Sequence, residues 1–194
     1  MQLSRVVIAS KNEHKIAEIL DVLDATGLDI ELVRNAEWPD VEETEPTLEG
    51  NALLKARSVR EQTGLAVIAD DTGLEVDALQ GAPGVVSARY AGLDATYDDN
   101  VEKLLAVMDG VDDRTAQFRT VMVLVDDDGE EIVVEGIMEG SITCERRGSN
   151  GFGYDPVFLV GERTFAEMAT GEKNQISHRA QALRALAEEL GRPA

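Results

Sequence analysis

Short apolar runs alternate with amphipathic helical patterns along this chain, and that alternation restricts the possible folds more than any other feature. Apolar segments at residues 5–9, 30–34 and 65–69 predict strands. Apolar residues at helical spacing lie between these segments, first to about Asp24 and then after Thr47, a candidate N-cap. Strands that alternate with helices indicate the α/β class.

The second half of the chain adds a hairpin pattern to this arrangement. The pattern predicts a helix at residues 98–108. It also predicts two strands, at residues 116–126 and 131–139, which are separated by the hairpin turn sequence Asp127-Asp128-Gly129. A further short strand is predicted at residues 74–76. We therefore expect one domain over residues 1–194, with a central mixed β-sheet flanked by helices. The pattern does not reveal the strand order.

Charge and cysteine content limit the partners and the compartment. The chain has 38 acidic residues against 18 lysines and arginines, a formal net charge of −20. A surface this negative repels nucleic acid and anionic membranes, so we expect neither as a partner. Cys144 is the only cysteine, which excludes an intramolecular disulfide. No apolar run has the length of a signal or membrane-spanning segment, so we expect a soluble cytoplasmic protein.

Two predicted helices begin with basic residues, against the usual preference. Ser10-Lys-Asn-Glu-His-Lys15 precedes one apolar stripe, and Lys173-Asn-Gln-Ile-Ser-His-Arg179 precedes another. A helix N-terminus carries partial positive charge, so each cation there costs about 0.3–1 kcal/mol. A bound polyanion would compensate for that cost. The alternative is ordinary capping by Ser10 or Asn12 with solvated lysines.

Two pairs of acidic residues are candidates for metal binding and catalysis. Asp70-Asp71 follows an apolar strand, where α/β proteins place their ligands, and Glu42-Glu43 lies in an acidic loop. One carboxylate could bind a hard cation while its neighbour orients water. The alternatives are an Asx turn that ends the strand at Asp70 and a solvated acidic loop at Glu42-Glu43.

A glycine-rich segment, Ser149-Asn-Gly-Phe-Gly-Tyr-Asp-Pro156, carries two aromatic rings and one acid. An aromatic ring on such a loop can stack on a flat base. The alternative is a plain turn with Phe152 and Tyr154 packed in the core.

Together these segments resemble the inosine triphosphate pyrophosphatases over nearly the whole chain, from about Arg5 to Leu190. Seven motifs occur in the same order as in that family. They are Ser10-x-Asn-x-x-Lys15, Glu42-Glu-Thr44, Glu49-Gly-Asn-Ala-x-x-Lys-Ala56, Ile68-Ala-Asp-Asp-Thr-Gly-Leu74, Gly81-Ala-Pro-Gly-Val-x-Ser-Ala-Arg89, Gly151-Phe-Gly-Tyr-Asp-Pro156 and Glu172-Lys-x-x-Ile-Ser-His-Arg179. Lys11 and His14 stand where the family usually has glycines.

The resemblance implies hydrolysis of ITP, dITP and XTP to the monophosphate and pyrophosphate, with Mg²⁺, by a homodimer. It also implies an elongated two-lobed fold with the active cleft between the lobes. The homodimer contact is expected to include residues 81–89. The implied metal ligands are Glu43 and Asp71, and Asp71 is also the implied general base, with Asp70 as its rival. The implied substrate-binding residues are Ser10, Lys11, Asn12, Glu13, His14, Lys15, Lys55, Thr72, Phe152, Gly153, Tyr154, Asp155, Lys173, His178 and Arg179.

Two other functions are compatible with the same residues. One is a nucleotide-binding regulatory protein without hydrolytic activity, against which the paired acids argue. The other is a phosphatase that acts through an aspartyl-phosphate. Such an enzyme would have Asp-x-Asp after the first strand, where this chain has Ser10-Lys-Asn12.

Overall fold

The computed structural model describes residues 5–27, 30–34 and 36–191. The helices of this part are α1 (Glu13–Thr26), α2 (Leu48–Thr63), α3 (Tyr97–Val107), α4 (Thr170–Ile176) and α5 (His178–Gly191). Its strands are β1 (Arg5–Ile8), β2 (Glu31–Leu32), β3 (Ala66–Val76), β4 (Pro83–Gly84), β5 (Thr115–Val125), β6 (Glu131–Ile142), β7 (Phe158–Val160) and β8 (Arg163–Thr164).

The strands form one mixed sheet in the order β2-β1-β3-β5-β6-β7-β8, with β4 paired to β3. β1 is parallel to both β2 and β3, whereas β3–β4, β6–β7 and β7–β8 are antiparallel. β5 and β6 are joined by the predicted turn, where the Asp126 N–H donates to the Glu130 carbonyl oxygen at 3.0 Å. The predicted α/β class and mixed sheet are confirmed.

The chain divides into two compact units, each built from separate stretches of sequence. Unit 1 comprises Met1–Asp71, Thr120–Gly136 and His178–Ala194. Unit 2 comprises Thr72–Arg119 and Ile137–Ser177. Each unit has its own apolar core: the core of unit 1 includes Ile19 and Leu183, and the core of unit 2 includes Leu104 and Phe158.

The start of α5 lies very close to the sheet in unit 1. A Cβ atom on Gly136 of β6 would approach the His178 carbonyl oxygen to 2.1 Å and the Ala182 nitrogen to 2.5 Å. Only glycine allows this approach, because any larger residue would collide with helix backbone. The close packing fixes the first turn of α5, which carries Arg179.

Several helix boundaries agree with the sequence prediction. Thr47 caps α2, accepting a hydrogen bond from the Gly50 N–H at 3.0 Å. Thr96 and Asp99 form a capping box at the start of α3. β1 and α1 also occur where they are predicted. The predicted strand at residues 30–34 is shorter, since β2 covers only two residues.

Two predictions about element boundaries are wrong. The strand does not end at Asp70, because β3 continues without interruption to Val76 and includes the segment predicted at residues 74–76. Lys173 does not open the last helix. It lies in the last turn of α4, and α5 begins after Ser177, whose extended backbone separates the two helices. The negative end of a helix stabilises a cation, so Lys173 is favourably placed there.

Candidate active site

The first turn of α1 is capped by the residues predicted to bind phosphate. Asn12 is the N-cap, and its Oδ1 accepts from the His14 N–H at 3.0 Å and from the Lys15 N–H at 3.3 Å. Ser10 Oγ accepts from the Asn12 N–H at 3.2 Å. This geometry is that of ordinary capping, in which the side chains of Ser10 and Asn12 accept from backbone N–H groups at the helix start.

Lys11, Glu13 and His14 are exposed residues around this turn. Lys11 forms an ion pair with Asp40, another exposed side chain. Glu13 is an acid in the first turn of α1, so the charge at this helix start is not purely basic. Lys15 is half-buried and is directed towards a buried group.

That buried group is Asp70 on β3, which contacts two cations. Its Oδ2 lies 3.0 Å from Lys15 Nζ and 3.2 Å from Arg179 Nη2. Arg179 is also paired with Glu18 of α1, and all of Asp70, Arg179 and Glu18 are at most 7% exposed. Two acids and two bases thus form a charge-balanced network within unit 1, joining α1, β3 and α5.

Asp71 lies in different surroundings. Its Oδ1 is 3.4 Å from Lys55 Nζ, and its Oδ2 accepts from the Asn51 amide at 3.3 Å. Lys55 Nζ also contacts Glu43 Oε1 at 2.7 Å. Two carboxylates therefore converge on one cation, and Glu43 comes from the acidic loop that the sequence prediction had marked.

The two adjacent aspartates have pKa values shifted in opposite directions. Burial acts to raise the pKa of Asp70, but Lys15 and Arg179 outweigh that effect and hold the pKa well below its usual range. Burial raises the pKa of Asp71, since Lys55 only partly offsets it and Glu43 adds repulsion. Asp70 is therefore held as a carboxylate, whereas Asp71 has the more basic carboxylate, as proton abstraction requires.

Lys15 and Lys55, the lysines that contact the two aspartates, also differ. Burial is the largest influence on Lys15 and lowers its pKa, although Asp70 acts in the opposite direction. Burial likewise acts to lower the pKa of Lys55, but Asp71, Asp70 and Glu43 together raise it above its usual value. Lys55 is therefore firmly cationic among three acids.

Unit 2 holds the glycine-rich segment in a fixed conformation. Asp155 Oδ2 accepts from the Phe152 N–H at 2.9 Å and is paired with Lys173 Nζ. Gly151 has a φ of +73°, and a Cβ atom there would lie 2.0 Å from Asp155 Oδ2. The turn therefore requires glycine at this position.

The aromatic side chains of this segment have different surroundings. Phe152 is half-buried, with Lys173 Nζ 4.9 Å from its ring centroid. Tyr154 is buried in the core of unit 2, and its hydroxyl donates to the Ser87 carbonyl oxygen at 2.9 Å. The core packing considered as the alternative is thus found for Tyr154 and not for Phe152.

The remaining predicted site residues are Thr72, Gly153 and His178, and each is adjacent in the sequence to a residue described above. Thr72 follows Asp71 on β3 and is half-buried, and Gly153 follows Phe152 with a φ of +61°. His178 is the buried first residue of α5, directly before Arg179.

In unit 1 the structure brings Lys15, Asp70 and Arg179 together, and likewise Glu43, Lys55 and Asp71. In unit 2 it brings Phe152, Asp155 and Lys173 together.

Sequence reasoning assigned no role to two residues of these networks. Glu18 pairs with Arg179, and it lies four residues before the buried Val22 on α1. A charge on the buried face of a helix was the available signal. Asn51 is fully buried and links Asp71 to the Glu45 N–H, its Oδ1 accepting from that group at 2.9 Å. Its position within the motif at residues 49–56 was the available signal.

The fold and these charged clusters define an α/β protein in which lysine and arginine side chains pair with two buried adjacent carboxylates. The chain belongs to the Ham1 family, whose family model matches residues 6–189. It is 48% identical over 193 residues to a dITP/XTP pyrophosphatase of Bacillus licheniformis, covering 97% of this chain and 98% of that protein.

Solved structures agree with this assignment. A HAM1 protein from Coxiella burnetii matches with a TM-score of 0.87 and 43% identity, over 97% of this chain and 98% of that one. The Ham1 protein of Staphylococcus aureus matches with a TM-score of 0.86 and 40% identity, over 96% of this chain and 98% of that one. Among the described residues, no helix is long and apolar enough to cross a membrane.

Proposed function

We propose that this protein hydrolyses non-standard purine nucleoside triphosphates, namely dITP, XTP and ITP, to the nucleoside monophosphate and pyrophosphate. The observation that carries the proposal is Asp71, a buried carboxylate whose pKa is raised, beside Lys55. The likeness to dITP/XTP pyrophosphatases at nearly full length supports the substrate class. The reaction breaks the bond between the α- and β-phosphates with one water.

The phosphate-binding role is proposed for the start of α1, which includes Lys15, and for Lys55 of α2. A triphosphate repels an attacking water through its own negative charge, and Lys15 and Lys55 would neutralise part of that charge. The backbone N–H groups at the helix start favour anions as well. The residues proposed for the triphosphate are Ser10, Lys11, Asn12, Glu13, His14, Lys15, Lys55 and Thr72.

Asp71 is proposed as the general base, taking a proton from the attacking water. Asp70 is the poorer candidate, because its two cations stabilise the carboxylate and make it a weak base. Its role is instead to hold Lys15 and Arg179. The sequence alone does not decide which of the two aspartates is the base.

Glu43 and Asp71 are also proposed to hold Mg²⁺. Their oxygens already converge on one cation, Lys55 Nζ, at 2.7 and 3.4 Å. Among the described residues no group of three or more acids, histidines and cysteines could hold a metal by itself. Mg²⁺ commonly uses one or two carboxylates and completes its shell with phosphate oxygens and water, so the pair fits. When bound, the ion would withdraw charge from the phosphates and make a nearby water more acidic.

The nucleoside is proposed to contact Phe152, Gly153, Asp155, Lys173, His178 and Arg179, whereas Tyr154, also expected there from the sequence, is packed in the core of unit 2. Hypoxanthine and xanthine present acceptors at O6 and N7, and cationic side chains are donors. Adenine has an amino donor at the six position, so a donor would face a donor. Each unpaired buried group costs about 1–3 kcal/mol.

Product analysis tests the proposed activity. We expect pyrophosphate from dITP, XTP and ITP, and loss of turnover in EDTA. Full activity in EDTA would contradict the metal assignment. Stepwise release of inorganic phosphate would favour the phosphatase alternative, and binding without any product would favour the regulatory alternative.

Base selectivity is tested on the same preparation. Two unpaired contacts of this kind, in which a protein donor faces a donor of adenine, predict a kcat/KM for ATP about 10²-fold or more below that for ITP. ATP turned over as well as ITP would mean that the cations serve only the phosphates.

We also propose that the protein acts as a homodimer in the cytoplasm. The dimer rests on the family resemblance, and the cytoplasm on the single cysteine, Cys144. Residues 81–89 are the proposed part of the contact, and Val86 within them is 42% exposed. Sedimentation of a particle near the chain mass of 21.0 kDa at micromolar concentration would contradict the dimer.

A further inference from the structure

Tyr97 is a surface aromatic residue that lies outside every motif considered above. It is the first residue of α3 and is 40% exposed. A large exposed ring is not needed to start a helix, because the capping box of Thr96 and Asp99 already satisfies that end.

The ring of Tyr97 contacts that of Phe152 in unit 2. Their centroids are 5.9 Å apart and their planes are inclined at 46°. This separation is within the range of favourable aromatic pairs, and a tilted arrangement is among the favoured geometries. Phe152 is the side chain proposed above to stack on the base.

The elements that carry the two rings are each held by hydrogen bonds to other segments of unit 2. The Arg146 guanidinium pairs with the Asp98 carboxylate and donates to the Asp98 carbonyl oxygen at 2.9 Å, which fixes the first turn of α3. The Asn150 amide donates to the Met168 carbonyl oxygen at 3.0 Å, which fixes the loop before Phe152. The backbones are thus held independently of the ring contact.

Fixed backbones still allow the Phe152 side chain to rotate. Lys173 Nζ lies over its ring, and Tyr97 contacts the ring as a second neighbour. Replacing Tyr97 would remove one neighbour of the Phe152 ring and would leave the Asp155 and Lys173 side chains unchanged. A stacking ring that must first be ordered binds a base more weakly, since that ordering costs entropy.

We propose that Tyr97 is a positioning residue for base recognition, which holds the Phe152 ring in the orientation that stacks on the purine. The inference rests on the proposed function, since it assigns Tyr97 to the base-binding part of that activity. It gives Tyr97 no contact with the phosphates.

The experiment compares Tyr97→Ala, Tyr97→Phe, Phe152→Ala and the double variant Tyr97→Ala/Phe152→Ala. We measure kcat and KM for dITP, and the inhibition constant of inorganic tripolyphosphate, which has no base. Tyr90→Ala is the matched control, because Tyr90 is a half-buried tyrosine of unit 2 whose ring is paired with Lys103 instead. Thermal unfolding checks that each variant is folded.

Tyr97→Ala is expected to raise KM for dITP by about 3- to 10-fold, the range for one aromatic pair, with kcat within about twofold of wild type. Tyr97→Phe keeps the ring and is expected to match wild type. The inhibition constant of tripolyphosphate is expected to stay unchanged in all variants. Because Tyr97 acts only through Phe152, the double variant is expected to be no worse than Phe152→Ala.

Three results would overturn the proposal. One is a Tyr97→Ala variant with the KM of wild type or of the Tyr90 control. Another is an equal loss of tripolyphosphate inhibition, which would indicate a general structural role. The third is an additional loss in the double variant, which would mean that Tyr97 contacts the base directly.

A failure of the proposed function is recognised separately, from the wild-type protein. If wild type releases no pyrophosphate but binds IMP, the same variants are compared by calorimetric titration with IMP, and the same ordering is expected. If wild type binds no IMP, the base-stacking role of Phe152 is lost and the inference about Tyr97 is overturned with it.

Discussion

Asp70 and Asp71 are neighbours in the sequence but have different surroundings in the structure. Successive side chains of a strand point to opposite faces of the sheet, and both aspartates belong to β3. Asp70 faces Lys15 and Arg179, whereas Asp71 faces Lys55, Glu43 and Asn51. One face therefore stabilises a carboxylate, and the other makes it more basic.

This difference shows how one dipeptide can supply two roles. A carboxylate surrounded by cations is a poor base but a good anchor, because its charge is fully compensated. A carboxylate that is buried and only partly compensated is a better base, at some expense of stability. The proposed division is an anchoring Asp70 and a reacting Asp71.

The largest expected effect is on the stability of Asp70→Asn. The change leaves Arg179 and Lys15 without the charge that they share, and breaking a buried ion pair costs about 3–5 kcal/mol. The measurement is the free energy of unfolding in urea. Asp40→Asn is the matched control, because Asp40 pairs with Lys11 at an exposed site, where less than about 1 kcal/mol is expected.

Equal losses of stability in Asp70→Asn and Asp40→Asn would contradict the anchoring role. A loss confined to Asp70→Asn would support it.

A smaller effect is expected on the pH dependence of Lys55→Met. Lys55 favours the ionised form of Asp71, so its removal raises the Asp71 pKa further. The base must be ionised to accept a proton, so the acid limb of kcat/KM moves to higher pH. The profiles are measured at one saturating metal concentration.

Lys11→Met is the control for that shift, since Lys11 is exposed and pairs with Asp40. The acid limb is expected to stay in place in this variant. An acid limb that stays in place in Lys55→Met as well would mean that Asp71 does not set it.

Much of the fold could be predicted from local patterns. Thr47 and Thr96 begin helices because a hydroxyl at the N-cap satisfies a backbone N–H, and this requires no knowledge of the tertiary structure. The turn at residues 126–130 was equally visible, from Asp-Asp-Gly between two apolar runs. The strand order was not visible, because it depends on pairings between distant segments.

The errors in the sequence prediction arose where tertiary contacts override local preference. Asp70-Asp71 has the composition of a turn, yet its buried ion pairs allow β3 to continue through it. Lys173 was interpreted as part of a helix start because the break at Ser177 has no proline or glycine. Asn51 lies within one of the seven motifs and Glu18 lies outside them, but the role of each depends on partners that only the fold brings near.

The most direct test of the proposed division is kcat of Asp71→Asn at saturating dITP and metal, with thermal unfolding measured on the same sample. We expect kcat to fall by at least about 10²-fold, which is typical for loss of a general base. We also expect the unfolding temperature to stay within a few degrees of wild type, because the amide keeps the size of the carboxylate and the Asp70 network is untouched. An Asp71→Asn variant with near wild-type kcat, alongside a folded but inactive Asp70→Asn, would exchange the two roles.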